Sequence, residues 1–198
     1  MAAYTLSPQT ILDRAIVLAL QSSWDSFSLH ELAASLNCGL GDIHRHFRSK
    51  DDLAEALFDR ADQAMLEYAD TEAGRRGSEQ ERTLNCIMSW FHYLAPYKAV
   101  VRDIMRYKLE PGHFHLQAHG VTRVSRTVQW FREAAARRQQ GLAKVADEIA
   151  LTSAYLSSFY FFLSDNSADN AKTRSLLAGL IKGLHTGHRF FSRPGRAT

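Results

Sequence analysis

The sequence predicts an all-α protein, on three observations. Apolar residues recur three and four apart along most of the chain, which is the spacing of one helix face. Glycine (11) and proline (4) are sparse among the 198 residues, against a turn-rich β-sandwich. No stretch alternates apolar and polar residues for long enough to suggest a sheet. With 45% apolar and 23% charged residues, the composition also excludes a disordered chain, a collagen-like repeat and a coiled-coil rod.

About nine helices follow in order. Ser7 as N-cap and Pro8 at the first helical position open the first, whose inward face is Ile11, Leu12, Ala15, Ile16 and Ala19. Ser28 and Glu31 have capping-box spacing and start a short second helix with Leu29, Leu32, Ala33 and Leu36 inward, ending at Asn37-Cys38-Gly39. A third, over roughly residues 40–47, turns Ile43 and Phe47 inward and leaves His44, Arg45 and His46 outward or on its flanks. Ser49 and Asp52 repeat the capping logic for a longer fourth helix through Leu53, Leu57, Phe58, Ala61 and Met65. Gly74, Gly77 and Arg75-Arg76 mark a break over residues 71–78. The rest divides into helices at about residues 79–95, 98–109, 118–139, 143–164 and 170–190, punctuated by Pro96, Pro111-Gly112, Gly141 and Asp165-Asn166.

The chain carries 24 basic and 21 acidic residues, a formal +3. That balance permits a polyanionic partner without demanding one. The excess is not where a DNA contact needs it: residues 1–55 hold four basic side chains against seven acidic, whereas six basic and no acidic residues follow Asp169. Two cysteines, Cys38 and Cys86, make neither a disulfide framework nor a zinc site of thiolates, and a reducing cytoplasm is expected. The early apolar run over residues 15–20 is too short to cross a bilayer, and Asp13 and Arg14 precede it without a basic leader, so neither a membrane span nor a signal peptide is expected.

Two short helices separated by a glycine-containing turn and braced by a preceding helix form a helix-turn-helix, whose second short helix can lie in a DNA major groove. The segments Ile11-Leu12-Asp13-Arg14-Ala15, Phe27-Ser28-Leu29-His30-Glu31-Leu32-Ala33, Gly41-Asp42-Ile43-His44-Arg45-His46-Phe47 and Ser49-Lys50-Asp51-Asp52-Leu53 resemble the N-terminal domain of the TetR family over about sixty residues. The resemblance implies an N-terminal three-helix DNA-binding domain (residues 1–55), a connecting helix at about residues 51–69, and a C-terminal helical ligand-binding and dimerisation domain (residues 56–198). It implies a homodimer on a double-stranded operator. His44 falls where the family usually has a Tyr on backbone or base, and Lys50 matches its recurrent phosphate contact. Arg45 is the side chain best suited to a base edge or a neighbouring phosphate, with His46 and Arg48 beside it. Leu40 and Asp42 depart from the family, which commonly has a basic residue and then Ser or Thr there. Asp42 is read as a helix cap, with a cytosine amino group as the alternative target.

Aromatic residues crowd the second part of the chain. Trp90, Tyr93, Tyr107, Phe114, Trp130, Tyr155 and Phe159 are candidates to wall a pocket for a small hydrophobic or aromatic effector, and the same rings equally suit core packing. Phe159 to Phe162 is a continuous aromatic run, too wide for one buried stripe. The family pairs its last two long helices across a dimer, which implies an interface at Phe161, Phe162, Leu177, Leu180, Ile181 and Leu184. The segment from Ala154-Tyr155 to Asp165-Asn166-Ser167, with Thr173, also resembles the TetR-fold lipid-binding accessory proteins of ubiquinone biosynthesis, which share the fold without acting as repressors.

His113-x-His115 with His119 lacks a neighbouring carboxylate or thiolate to complete a metal set. No phosphate-cradling glycine loop, nucleophile elbow or zincin motif is present, so neither a cofactor nor an enzyme is expected. The expected function is a TetR-like repressor released from its operator by a small apolar or aromatic ligand; the alternative is a lipid- or isoprenoid-binding accessory protein without operator binding.

Overall fold

Ser7 caps the first helix, accepting the Thr10 amide at 3.1 Å, and Pro8 occupies the first turn, where no amide partner is needed. The computed structural model describes residues 6–109 and 114–191, with side chains for 6–108 and 120–183. Among these residues all regular structure is helical. The elements are α1 (Pro8–Gln21), α2 (Leu29–Ser35), α3 (Leu40–His44), α4 (Lys50–Asp70), α5 (Glu72–Arg75), α6 (Glu79–Leu94), α7 (Lys98–Leu109), α8 (Phe114–Ala134), α9 (Gly141–Phe162) and α10 (Ala171–Phe191).

The nine expected helices are there, and α5 is one further turn inside the segment read as a break. Thr71 caps it through the Gly74 amide at 3.0 Å. A side chain at Gly74 would place its Cβ 2.2 Å from the Tyr68 carbonyl oxygen, so only glycine fits this tight reversal. Three ends differ from expectation, α8 beginning at Phe114 rather than near residue 118. The α-helical hydrogen bonding of α3 stops at His44, although the turn continues as the His46 and Phe47 amides both reach the Ile43 carbonyl. Helix α8 ends at Ala134 rather than near residue 139, because Ala136 adopts φ 53 and the Arg137 amide folds back to the Arg132 carbonyl at 3.0 Å. That reversal turns the Arg137 side chain onto Asp147 and Thr83.

The contacts divide the chain into two units. The first comprises Met1–Ala61 and Leu94–Ala118, so α7 belongs with the N-terminal helices. Within it α1 packs on α2 and on α7, and α2 packs on α3, around buried Ile11, Leu12, Trp24, Leu32, Ile43 and Leu57. Two polar links fasten α7. Asp103 accepts the Trp24 backbone amide at 3.4 Å, and the buried Lys108 ammonium pairs with Asp51 and Glu55 of α4, each at 2.6 Å.

The second unit comprises Asp62–Tyr93 and His119–Thr198, with α9 lying along α10. Its core is aromatic. Phe91 stacks on Phe162 at 4.9 Å between centroids, and the Trp90 ring meets Tyr155 and Phe159 edge-on at 5.5 and 5.6 Å. Arg132 and Arg137 both bind the buried Asp147 carboxylate. At the turn into α10, Asp165 accepts hydrogen bonds from the amides and hydroxyls of Ser167 and Thr173. Burial alone raises the pKa of Asp165, but these four donors outweigh it and hold the carboxyl well below the usual carboxylate range.

Candidate nucleic-acid interface

The helix-turn-helix is fixed by local hydrogen bonds at each junction. The expected capping box closes at α2: Ser28 accepts the Glu31 amide at 3.1 Å, and Glu31 accepts the Ser28 amide at 2.7 Å. The Ser28 amide and hydroxyl, both donating to the Glu31 carboxylate, hold it below its ordinary range. Asn37 takes φ 51 in the turn, while the Cys38 amide returns to the Ala33 carbonyl at 3.0 Å. Burial pushes the half-buried Cys38 thiol up, and the Cys86 thiol in the second unit to about 11, as suits packed rather than reactive thiols. At the start of α4, Asp52 accepts the Arg48 and Ser49 amides at 2.8 and 3.2 Å while Ser49 accepts the Asp52 amide.

Helix α3 is anchored from below by Ile43 and, just past its end, Phe47, both buried. Its other positions lie outward: Leu40 is 40% exposed, and Gly41, His44, Arg45 and His46 are all in solvent, as is Arg48 beyond it. Asp42 does two things. Its Oδ2 accepts the Gly39 amide at 2.8 Å, the cap read from the sequence, and its Oδ1 pairs with Arg45 Nη1 at 2.8 Å. Lys50 is half-buried, donating to the Phe27 and Asp25 carbonyls at 2.6 and 3.1 Å with its ammonium 4.1 Å from the Phe27 ring centroid. Burial lowers its pKa, against the pull of Asp25 and Glu31. An ammonium has three N–H donors, so one remains for a further acceptor.

The aromatic candidates do not form one group. Trp90, Tyr155 and Phe159 come together in the core of the second unit, Tyr93 is half-buried, and Trp130 is 44% exposed. Tyr107 belongs to the first unit, where it lines a recess of about 210 Å3 with Ser23, Asp25, Asp103 and Arg106. His113 lies outside the described residues, and the side chains of Phe114, His115 and His119 are likewise outside those described. The Trp90 indole N–H donates at 2.8 Å to Asp62, which also takes Arg123 Nη2 at 2.8 Å and the Thr127 hydroxyl at 3.1 Å. Burial, with Asp62 nearby, pushes the Tyr155 phenol up. Sequence reasoning passed over Asp62, although the signal was present: it interrupts the inward stripe of Phe58, Ala61 and Met65 with a carboxylate, so a buried partner had to exist.

Of the residues assigned to a dimer face, Phe162, Leu177 and Ile181 are buried within the chain, Leu180 is half-buried, Phe161 is 37% exposed, and the Leu184 side chain lies outside the described residues. The apolar surface open on α9 is a different stripe. Leu142, Val145, Ile149, Leu156 and Tyr160 recur on one exposed face, and Leu176 of α10 is exposed as well. Their helical spacing was the readable signal.

A helix-turn-helix joined to a helical second part is the architecture these residues define. Residues 11–57 match the family described as bacterial regulatory proteins, tetR family. A TetR transcriptional regulator from Nitrosomonas europaea is 39% identical, with a TM-score of 0.78 over 89% of this chain and 96% of that one. The chain belongs to the TetR family of transcriptional regulators. An HTH-type transcriptional repressor of Mycobacterium tuberculosis and an uncharacterised HTH-type regulator of Mycobacterium bovis are each 40% identical over 57 residues, 29% of this chain. That match spans only 22% of the length of those curated relatives.

Proposed function

We propose that the protein is a homodimeric DNA-binding transcriptional repressor, released from its operator by a small apolar or aromatic effector. The observation that carries this reading is the helix-turn-helix with His44, Arg45, His46 and Arg48 in solvent, in a chain so similar along its length to a TetR regulator. Helix α3 enters the major groove, with Leu40 and Asp42 at its start. His44, His46 and Arg48 flank the phosphates. Lys50 offers its third N–H at the start of α4, where the helix dipole also favours a phosphate.

Two copies associate through the exposed α9 stripe and α10 as a four-helix interface; of the residues expected there, Phe161 and Leu180 can meet a partner, whereas Phe162, Leu177 and Ile181 pack within the chain. The effector is taken up among the aromatic side chains of the second unit, at Trp90, Tyr93, Tyr155 and Phe159, with Trp130 as a further contact. Its binding shifts the population toward a form whose recognition helices no longer match the half-site spacing. A protein that meets the chromosome works in the cytoplasm, and among the described residues no helix is long and apolar enough to cross a membrane.

Titration of the full chain with the DNA flanking its own gene tests this. Selective binding that weakens steeply with salt, and weakens further in Arg48→Ala and Lys50→Ala, is the expected result. Lys50's hold on two carbonyls and the carboxylate of Asp42 on α3 favour a second reading, a lipid- or isoprenoid-binding accessory protein without an operator. Equal affinity for operator and random DNA at low salt, with lipid co-purifying, is what that reading predicts and the repressor reading forbids.

A further inference from the structure

Arg45 is the most exposed member of an ion pair on α3: its side chain is 73% exposed and that of Asp42 is 34% exposed. A pair so open to water adds little to stability. Its consequence is geometric. The Asp42 carboxylate is itself fixed by the Gly39 amide at 2.8 Å, and it holds one guanidinium nitrogen, Nη1, at 2.8 Å. The long Arg45 side chain is thereby pre-set in one direction while most of its N–H fork stays free.

The surroundings select what the fork can meet. Gly41 lies one turn before Arg45, its carbonyl accepting the Arg45 amide at 3.2 Å. A Cβ built on Gly41 has nothing within 4 Å, so this face of α3 is bare and lets another surface come close. A phosphate arriving there meets a pair of zero net charge and is repelled by the carboxylate beside Arg45. A guanine edge carries no net charge and presents two acceptors, O6 and N7, that match a guanidinium fork.

We infer that Asp42 and Arg45 act as one reading unit: Asp42 braces Arg45 for the O6/N7 edge of a guanine in each operator half-site. Asp42 is a positioning residue, and Arg48, whose side chain has no acidic partner among the described residues, makes the phosphate contact instead. This rests on the operator-binding reading above and adds the base that is read and the residue that orients the reader.

The test is selection of the full chain on a randomised duplex pool, followed by titration of the enriched sequence and of variants changed at single positions. The wild type is expected to require a guanine in each half-site. Arg45→Ala is expected to lose about 10- to 100-fold in affinity for that sequence and to become indifferent at that position, with preferences elsewhere intact. Asp42→Asn keeps an acceptor for the Gly39 amide, so α3 remains capped. It is expected to blunt the guanine preference while raising affinity for random DNA, because a negative charge has left the interface.

If Arg45→Ala weakens all sequences equally and lowers the salt dependence by about one ion, Arg45 is a phosphate contact and the inference is overturned. An Asp42→Asn variant with the same guanine preference and the same random-DNA affinity removes the bracing role. Circular dichroism melts of both variants, expected within a few degrees of wild type, keep a folding defect from passing as lost readout. If the wild type enriches no sequence at all, the operator reading itself fails, an outcome distinct from enrichment without a guanine.

Discussion

Arg45 and Arg123 each hold an aspartate at 2.8 Å, but the two pairs occupy opposite environments. Arg45 and Asp42 are 73% and 34% exposed at their side chains; Arg123 and Asp62 are 8% and 10% exposed. In water the attraction is screened and the guanidinium stays available to a partner. In the interior the same charges depend on each other, since an ion left alone there has lost its hydration and gained nothing. Asp62 accordingly gathers Trp90, Arg123 and Thr127 around it. The Asp42–Arg45 pair thus stays open to contact with others, whereas the Asp62–Arg123 pair serves the cohesion of its own unit.

The sharpest way to break this contrast is to delete one partner of each pair. Asp62→Ala removes the buried carboxylate that Trp90, Arg123 and Thr127 share and is expected to cost about 3–5 kcal/mol in urea unfolding. Asp42→Asn or Arg45→Ala is expected to change unfolding by less than about 0.5 kcal/mol. Equal costs at the two sites would show that the exposed pair also holds the fold. The next effect is on association. Ile149→Asp puts a charge in the exposed α9 stripe, and if that stripe joins two copies, sedimentation at micromolar concentration should show a folded monomer where the wild type is a dimer.

Lys50 lies between the extremes. It is half-buried and makes two hydrogen bonds to carbonyls 23 and 25 residues away. Lys50→Ala is expected to destabilise the first unit by about 1–2 kcal/mol, read as a lower melting temperature without DNA, in addition to weakening DNA binding. A variant that melts like wild type yet binds DNA poorly would assign Lys50 to the phosphate alone.

Much of the first unit was legible because its determinants are local. Ser7 with Pro8, Ser28 with Glu31, and Ser49 with Asp52 act within one turn, and each forms the bond its spacing implies. The break after Ala134 was not legible, since alanine seldom takes the left-handed conformation that Ala136 adopts and no glycine marks the place. Partners far apart in sequence were hidden for a different reason. Asp62 with Arg123, or Lys108 with Asp51 and Glu55, are brought together by packing that no window of residues contains. At the candidate interface the outward set from His44 to Arg48 was readable from helix geometry. The tie between Asp42 and Arg45 was not, because the cap accounted for Asp42 by itself.

The smallest expected effect concerns a device that both units use. Glu31 and Asp165 each accept the amide and hydroxyl of a nearby serine, and each has its pKa lowered by those bonds. Glu31 lies on the surface, whereas Asp165 is buried and takes two further bonds from Thr173 at 2.9 and 2.6 Å. A carboxylate whose pKa is lower folded than unfolded contributes stability that is complete above its unfolded value, about 4, and is lost as pH falls toward the folded value. Acid should therefore weaken the α9–α10 turn through Asp165. Melting of the wild type is expected to fall more steeply between pH 5 and pH 3 than melting of Asp165→Asn, which has no proton to take up at that site. Glu31→Gln, tested the same way, should follow the wild-type slope closely, because water already competes for the exposed carboxylate. Parallel slopes for wild type and Asp165→Asn would mean that the four donors do not lower the Asp165 pKa in the folded protein.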